Sequence, residues 1–208
     1  MLTQCEQRIM EVLLPQPFKA YSVRQLSKLI KNSYALTHKS VNSLITRKMA
    51  AGNKVGNSIA CRLSLAGSAQ LLAATSLTYT NKYLSNAKFG FIIDEIKDKL
   101  STSIYIMILF GSHAKKTAEK SSDVDVLFVV QNEKDIEKVR KDVRAILSST
   151  AIKFEFEVIT SEWLLKMFDE RNSVGREALE ASIILHGAEQ YYTLVKHYDK
   201  TRGYKESY

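Results

Sequence analysis

Four things are scarce in this chain of 208 residues. Cysteine is the first. Cys5 and Cys61 alone are too few for a disulfide framework or a zinc cluster. A reducing compartment is therefore the default, and a cytoplasmic location is expected. Long apolar runs are the second. None approaches the ~20 residues that a membrane-crossing helix needs, so no membrane partner is expected. The N-terminal stretch MLTQCEQRIMEVLL interrupts its apolar positions with polar ones. It reads as an amphipathic helix rather than a signal peptide. The third is linker composition: no Pro-rich or Gly-rich flexible segment and no internal repeat is present. The fourth is acid in the first 80 residues, where only Glu6 and Glu11 face ten Lys or Arg. Residues 81 to 208 hold twenty basic and twenty acidic residues, so the whole net charge of +8 lies at the front. That asymmetry predicts two modules, the first facing a polyanion.

What is present centres on residues 104 to 130. An apolar, β-branched run, Ile104 to Phe110, ends in Gly111-Ser112. Ten residues rich in Lys, Ser and Thr follow, then Asp123-Val124-Asp125 and a second apolar run, Val126 to Val130. Both runs have the length and side chains of buried strands. In a strand, residues i and i+2 face one way, so the two aspartates share a side. Paired carboxylates supply the hard oxygen ligands that Mg²⁺ takes. Gly111 has no Cβ and allows a close backbone approach. A helix starting there would offer free N–H groups to phosphate. A phosphate cradle beside an acid pair points to chemistry on a nucleoside triphosphate.

Gly111-Ser112, ten residues, then Asp123-Val124-Asp125 resembles the GS-x10-DxD signature of the nucleotidyltransferase superfamily. That superfamily includes DNA polymerase β-like enzymes, kanamycin nucleotidyltransferase and the minimal nucleotidyltransferases. The likeness covers roughly residues 88 to 190. It implies a small mixed-sheet α/β (α+β) fold and two-metal transfer with Mg²⁺ or Mn²⁺. ATP or another nucleoside triphosphate would be the donor. By this resemblance Asp123 and Asp125 hold the metals, while Gly111 and Ser112 position the phosphates. Lys115 and Lys116 stand where relatives often carry Arg-Gly and would screen phosphate charge. His113, in the same loop, is not needed as a base. The superfamily places a third carboxylate on the neighbouring strand, where Glu155 and Glu157 are the choices here. The stretch EVITSEWLL resembles the family segment in which an acid precedes a Thr-capped helix, which favours Glu157 as the third metal-binding acid beside Asp123 and Asp125. The family usually has Asp there, and Glu is one methylene longer.

The front of the chain predicts a helix over residues 3 to 14, stopped by Pro15 and Pro17. A second helix follows, capped by Ser22. A third runs from Thr37 to about Ala51, ended by Gly52-Asn53. A hairpin then turns at Gly56-Asn57. Three helices and a hairpin resemble a winged helix-turn-helix domain, spanning residues 1–66. The resemblance implies double-stranded DNA as a partner and a homodimer. Lys39, Asn42, Ser43 and Arg47 on the third helix would work in the groove, with Lys54 and Arg62 near phosphate on the wing.

Residues 67–87 predict a connecting helix, and Phe89 to Leu100 a helix entering the catalytic part, 88–190. After the second strand come a helix at 133–148, a strand at 151–159 and a helix from Thr160-Ser161 to Phe168. A helix from Asn172 to Leu185 ends at Gly187. The tail, residues 191–208, is a frayed end or last helix. Three functions are in contention. The first is nucleotidyl transfer, AMP by preference, to a hydroxyl of a protein, a small molecule or an RNA end, coupled to an antitoxin-like or autoregulatory DNA-binding arm. The second is a transcriptional regulator whose transferase-like domain senses nucleotide without turnover. The third is a nucleic-acid-modifying enzyme whose basic module holds substrate.

Overall fold

The computed structural model describes residues 2–55, 58–102, 105–170, 177–178 and 181–202. Hydroxyl residues start the front helices. Helix α1 (Gln4–Leu13) opens on a capping box, with Thr3 accepting from the Glu6 amide and Glu6 accepting from the Thr3 amide. A two-residue strand, β1 (Tyr21–Ser22), leads into α2 (Val23–Leu29), where Ser22 and Gln25 repeat the device. Helix α3 (Tyr34–Thr46) is capped by Ser33, not Thr37. The Ser33 hydroxyl takes the Leu36 amide, whereas the Thr37 hydroxyl is buried and bonds back to the Ser33 carbonyl.

The end of α3 also differs from the sequence expectation. Residues 50 to 55 leave the helix and form β2 (Ala50–Val55), which pairs antiparallel with β3 (Ser58–Leu63). Gly52 lies inside that strand, where an added Cβ would sit 2.5 Å from the Ile45 side chain. It admits the helix–strand approach rather than ending a helix. The turn expected at Gly56-Asn57 lies outside the described residues, although Val55 pairs with Ser58 on either side of it. The three strands run in the order β1-β3-β2.

Helix α4 (Ala69–Leu84), capped by Ser68, and helix α5 (Gly90–Lys99) then carry the chain to a second sheet. Its strands are β4 (Tyr105–Leu109), β5 (Val124–Val130), β6 (Phe154–Thr160) and β7 (Ile183–His186). They lie in the order β6-β5-β4-β7. A five-residue helix, α6 (Gly111–Lys115), follows β4, and α7 (Lys134–Leu147) makes the crossover between the parallel pair β5 and β6. The other pairs are antiparallel. Thr160 accepts the Trp163 amide at the start of α8 (Ser161–Glu170), and α9 (Ala188–Arg202) ends the described chain. This is the mixed α/β architecture expected. Strands β4 and β5 are central and almost wholly buried, as their unbroken apolar runs require.

One predicted helix is corrected at its C-terminal end. The segment expected to be helical up to Leu185 instead adds β7 to the sheet, with Ile184 opposite Ile108. A short apolar run such as SIILH does not distinguish buried strand from buried helix by periodicity. Gly187 closes that strand at φ +70°, where a Cβ would meet the Tyr105 carbonyl at 2.4 Å.

The front part docks on this second sheet. The Ser182 amide donates to the Pro15 carbonyl (2.8 Å), and Lys82 of α4 pairs with Glu11 of α1 (2.8 Å). The buried Thr80 hydroxyl donates to the Ile184 carbonyl (2.9 Å). The buried apolar cluster runs unbroken from Ile9 through Leu63 and Leu72 to Val195. Among the described residues no helix is long and apolar enough to cross a membrane.

Candidate active site

The site begins where β4 ends. The Phe110 amide donates to the Asp125 carbonyl (3.0 Å), carrying the β4–β5 ladder one step past Leu109 and Val126. Gly111 then turns at φ +65°, a left-handed conformation that side chains resist. A Cβ there would lie 2.0 Å from Asp125 Oδ2 and 2.8 Å from its Cγ. Backbone and carboxylate are thus in direct contact, and only glycine allows it. Helix α6 starts at this point and closes at Lys116, itself left-handed at φ +60°. The Thr117 amide returns to the Ser112 carbonyl (3.0 Å). Ser112 and Lys115 are half-buried in this turn.

The register of β5 and β6 orders the acids. Asp125 is level with Glu155, whereas Glu157 is level with Leu127. At ~3.3 Å per residue, Glu157 lies about 7 Å further along the sheet than Glu155. Glu155 and Glu157 are both exposed on the edge strand. An open cavity of ≈ 570 Å³ is lined by Phe110, Asp125, Glu155, Glu157 and Glu177. Burial holds the Asp125 carboxyl above the usual aspartate range, and the charges of Glu155, Glu177 and Asp123 push the same way. His113 acts against them. Asp123 stands just before β5. Its Oδ1 is buried without a hydrogen bond, and the Lys153 ammonium, 3.5 Å away, offsets its charge without hydrogen-bond geometry.

Asp125 therefore meets the Gly111 turn, Asp123 adds its charge to Asp125 without lining this cavity, and Glu155 stands closer to Asp125 along the register than Glu157. Lys116 reaches a different place: its ammonium lies 5.8 Å from the Tyr79 ring centroid. Glu177 was missed in the sequence, where it reads as one more polar residue of a predicted helix. Spacing offers no signal for it, because only the tertiary fold brings it to Asp125.

These acids suit a divalent cation on an observation of this structure. Burial and, after it, crowded carboxylates raise the proton affinity of Asp125, and a buried Asp123 oxygen lacks a hydrogen-bond partner. A bound cation answers both. Among the described residues no three His, Cys, Asp or Glu side chains gather tightly enough to hold a metal by themselves. Mg²⁺ commonly takes one or two carboxylates and completes its shell with substrate phosphate and water, so a full protein cage is not required.

Residues 92–185 match the nucleotidyltransferase domain family. The match spans α5 through β7, and so contains the Gly111 turn and all five acids named above. No curated protein matches the chain. The match supports nucleotidyl transfer, in general terms, as the activity of this part.

The front module places its expected DNA-contacting residues unevenly. Lys39 and Asn42 of α3 and Lys54 of β2 are exposed. Ser43 and Arg47 instead turn toward α1, where both act on the buried Glu6; Arg47 Nη1 is 3.6 Å from Glu6 Oε2. Burial alone would push the Glu6 carboxyl up, but hydrogen bonds from Ser43 and Thr3, with the Arg47 charge, hold it below the usual range. Arg62 is half-buried on β3. The first turns of α3 present Tyr34, Leu36 and Lys39 to solvent.

Proposed function

We propose that the nucleotidyltransferase domain moves a nucleotidyl group, AMP from ATP by preference, onto a hydroxyl of a protein, small-molecule or RNA acceptor. The observation that carries this reading is the contact between the Gly111 backbone and the Asp125 carboxylate. It puts a turn suited to phosphate against an acid suited to a metal, with no side chain between them.

Gly111 and Ser112 would orient the β- and γ-phosphates through backbone N–H and hydroxyl groups. Asp123 and Asp125 would hold Mg²⁺ or Mn²⁺, which, when bound, offsets charge on the triphosphate and acidifies the attacking hydroxyl. The acceptor oxygen forms a bond to the α-phosphorus while the bond to the pyrophosphate oxygen breaks. We assign Glu155, level with Asp125 on the neighbouring strand, the third-acid role, in which it would receive the acceptor proton and pass it to solvent. Register thus favours Glu155 for the third-acid role, against the Glu157 that the family resemblance suggests. Pyrophosphate release decides between them. Glu155→Gln should lower turnover ~100-fold or more, in the range that removal of a positioned acid–base group produces. Glu157→Gln should lower it less than tenfold. The opposite ranking would return the role to Glu157.

We further propose that the front module, with its helices and three-stranded sheet, is a winged helix-turn-helix. We assign it double-stranded DNA through Lys39, Asn42 and Lys54, as a homodimer, in an autoregulatory role. A second reading, nucleotide sensing without turnover, draws on the absence of three gathered acids among the described residues. Pyrophosphate release in the presence of acceptor and Mn²⁺ excludes it.

A further inference from the structure

Alternation along β5 turns Asp125 and Val124 to opposite sides of the sheet. Val124 lines a second cavity, ≈ 1030 Å³, between α4, the turn into α5, and the loop that follows α6. Its walls carry Lys82, Lys88, Lys116, Lys120 and Lys153 against Glu11 and Glu119, a net +3. The chain from residue 81 onward is neutral overall, so this positive charge is local. Glu11 is held by Lys82 (2.8 Å).

The polar atoms inside are unusual. Tyr79 is 8% exposed, and its hydroxyl is buried with no hydrogen-bond partner. His113 Nε2 is also buried and unpartnered. Both residues line this cavity. Buried polar atoms without partners cost free energy unless a ligand or water serves them. Tyr79, Tyr83, Phe89 and His113 form a ladder of ring contacts, with Phe89 and His113 edge-on at 5.0 Å. Tyr83 is half-exposed on that ladder. Lysines around a cleft with an open aromatic face are the combination that takes phosphate and stacks a base.

We propose that this cavity is a second binding site, separate from the acid-lined one, for a nucleoside phosphate, free or at the end of an oligonucleotide. Lys88 and Lys120, exposed at the rim, would meet the phosphate. Tyr79 and His113 would donate to it, and the Tyr83 ring would carry the base. The ligand would then lie behind α6, with His113 between it and Asp125, on which His113 already acts. The site does not depend on the transfer reaction, and a catalytically silent chain would bind there equally.

The test is calorimetric titration of the full chain with AMP, with inorganic pyrophosphate and with a 5′-phosphorylated tetranucleotide, in EDTA. EDTA and an Asp125→Ala background silence the acid-lined site, and Asp123 is kept because it pairs with Lys153 of the second cavity. AMP binding is expected in that background. Lys88→Glu/Lys120→Glu should weaken it roughly tenfold or more, as loss of two charge-assisted contacts does. Tyr79→Phe should weaken it about threefold while leaving the melting temperature at or above that of the parent. A tetranucleotide that binds more tightly than AMP identifies a strand end as the source; the reverse identifies the free nucleotide. Pyrophosphate binding as tight as AMP would overturn the base-stacking assignment. No AMP binding in EDTA, or binding indifferent to Lys88→Glu/Lys120→Glu, would overturn the site.

Discussion

Gly111→Ala is the most informative single change. Two costs are expected, and they separate. The first is conformational: alanine at φ +65° pays about 1–2 kcal/mol for the left-handed backbone. The second is contact: a Cβ 2.0 Å from Asp125 Oδ2 and 3.3 Å from Asp125 Cβ forces that side chain to swing away. An off-rotamer side chain adds about 0.5–1.5 kcal/mol. At ~2–4 °C per kcal/mol for a chain of this size, the first cost lowers the thermal midpoint by roughly 2–8 °C and the second by a few degrees more. Asp125→Ala removes the contact and leaves the conformation. Gly111→Ala should therefore cost less in the Asp125→Ala background than in the parent, by about 0.5–1.5 kcal/mol. The assay is a double-mutant cycle from urea or thermal unfolding of four proteins without metal. Equal costs in both backgrounds would refute the close contact. In the parent background Gly111→Ala should also abolish detectable transfer, because the displaced carboxylate is the one assigned to the metal.

Two further predictions concern charge. Burial and neighbouring carboxylates hold Asp125 above the ordinary aspartate range, so the folded chain binds its proton more tightly than the unfolded one. The contribution of Asp125 to stability therefore falls as pH rises from the ordinary value, ~3.9, through the raised folded value, and stays low above it. Asp125→Asn should thus melt higher than the parent at neutral pH in EDTA, with that gap closing below pH ~4. Mn²⁺ should raise the parent's midpoint and not the variant's; thermal melts with and without metal check both. On the front module, Lys39→Ala should weaken DNA binding across sequences and reduce the salt slope by about 1. Arg47→Ala should lower the melting temperature, because it strips a partner from the buried Glu6. Filter binding across a salt series and melts of both variants would show an opposite division of effects if Arg47 worked on DNA.

The parts that local chemistry dictates were legible in the sequence. Ser22 announces a helix start because its side chain satisfies an amide within three residues; Thr3 with Glu6 carries the same pattern, which the prediction of a helix over residues 3 to 14 does not use. The Gly111 turn and Asp125 were legible because the flanking apolar runs mark the two strands, whereas Asp123 stands just before β5, where strand alternation does not fix its face. What was not legible depends on choices between distant partners. Ser33 and Thr37 both had the chemistry of a cap, and the burial of Thr37 against the fold decided for Ser33. The Ala50–Val55 segment became strand because β3 pairs with it along its full length. The Ile183–His186 run became an edge strand because β4 had a side to fill. The same limit applies to the acids. The choice between Glu155 and Glu157 depends on the β5–β6 register, and the arrival of Glu177 on tertiary folding. Neither is written in any spacing.

Nucleotidyl transfer is proposed for Asp125, held against the Gly111 turn, together with Asp123. The most direct measurement incubates the purified chain with each of the four α-labelled ribonucleoside triphosphates, Mg²⁺ or Mn²⁺, and a cell lysate as acceptor source. The Asp123→Ala/Asp125→Ala protein serves as the parallel reaction. A labelled species, strongest with ATP and absent from the variant lane, is expected. Identical labelling in both lanes, or none in either with any triphosphate, would contradict it.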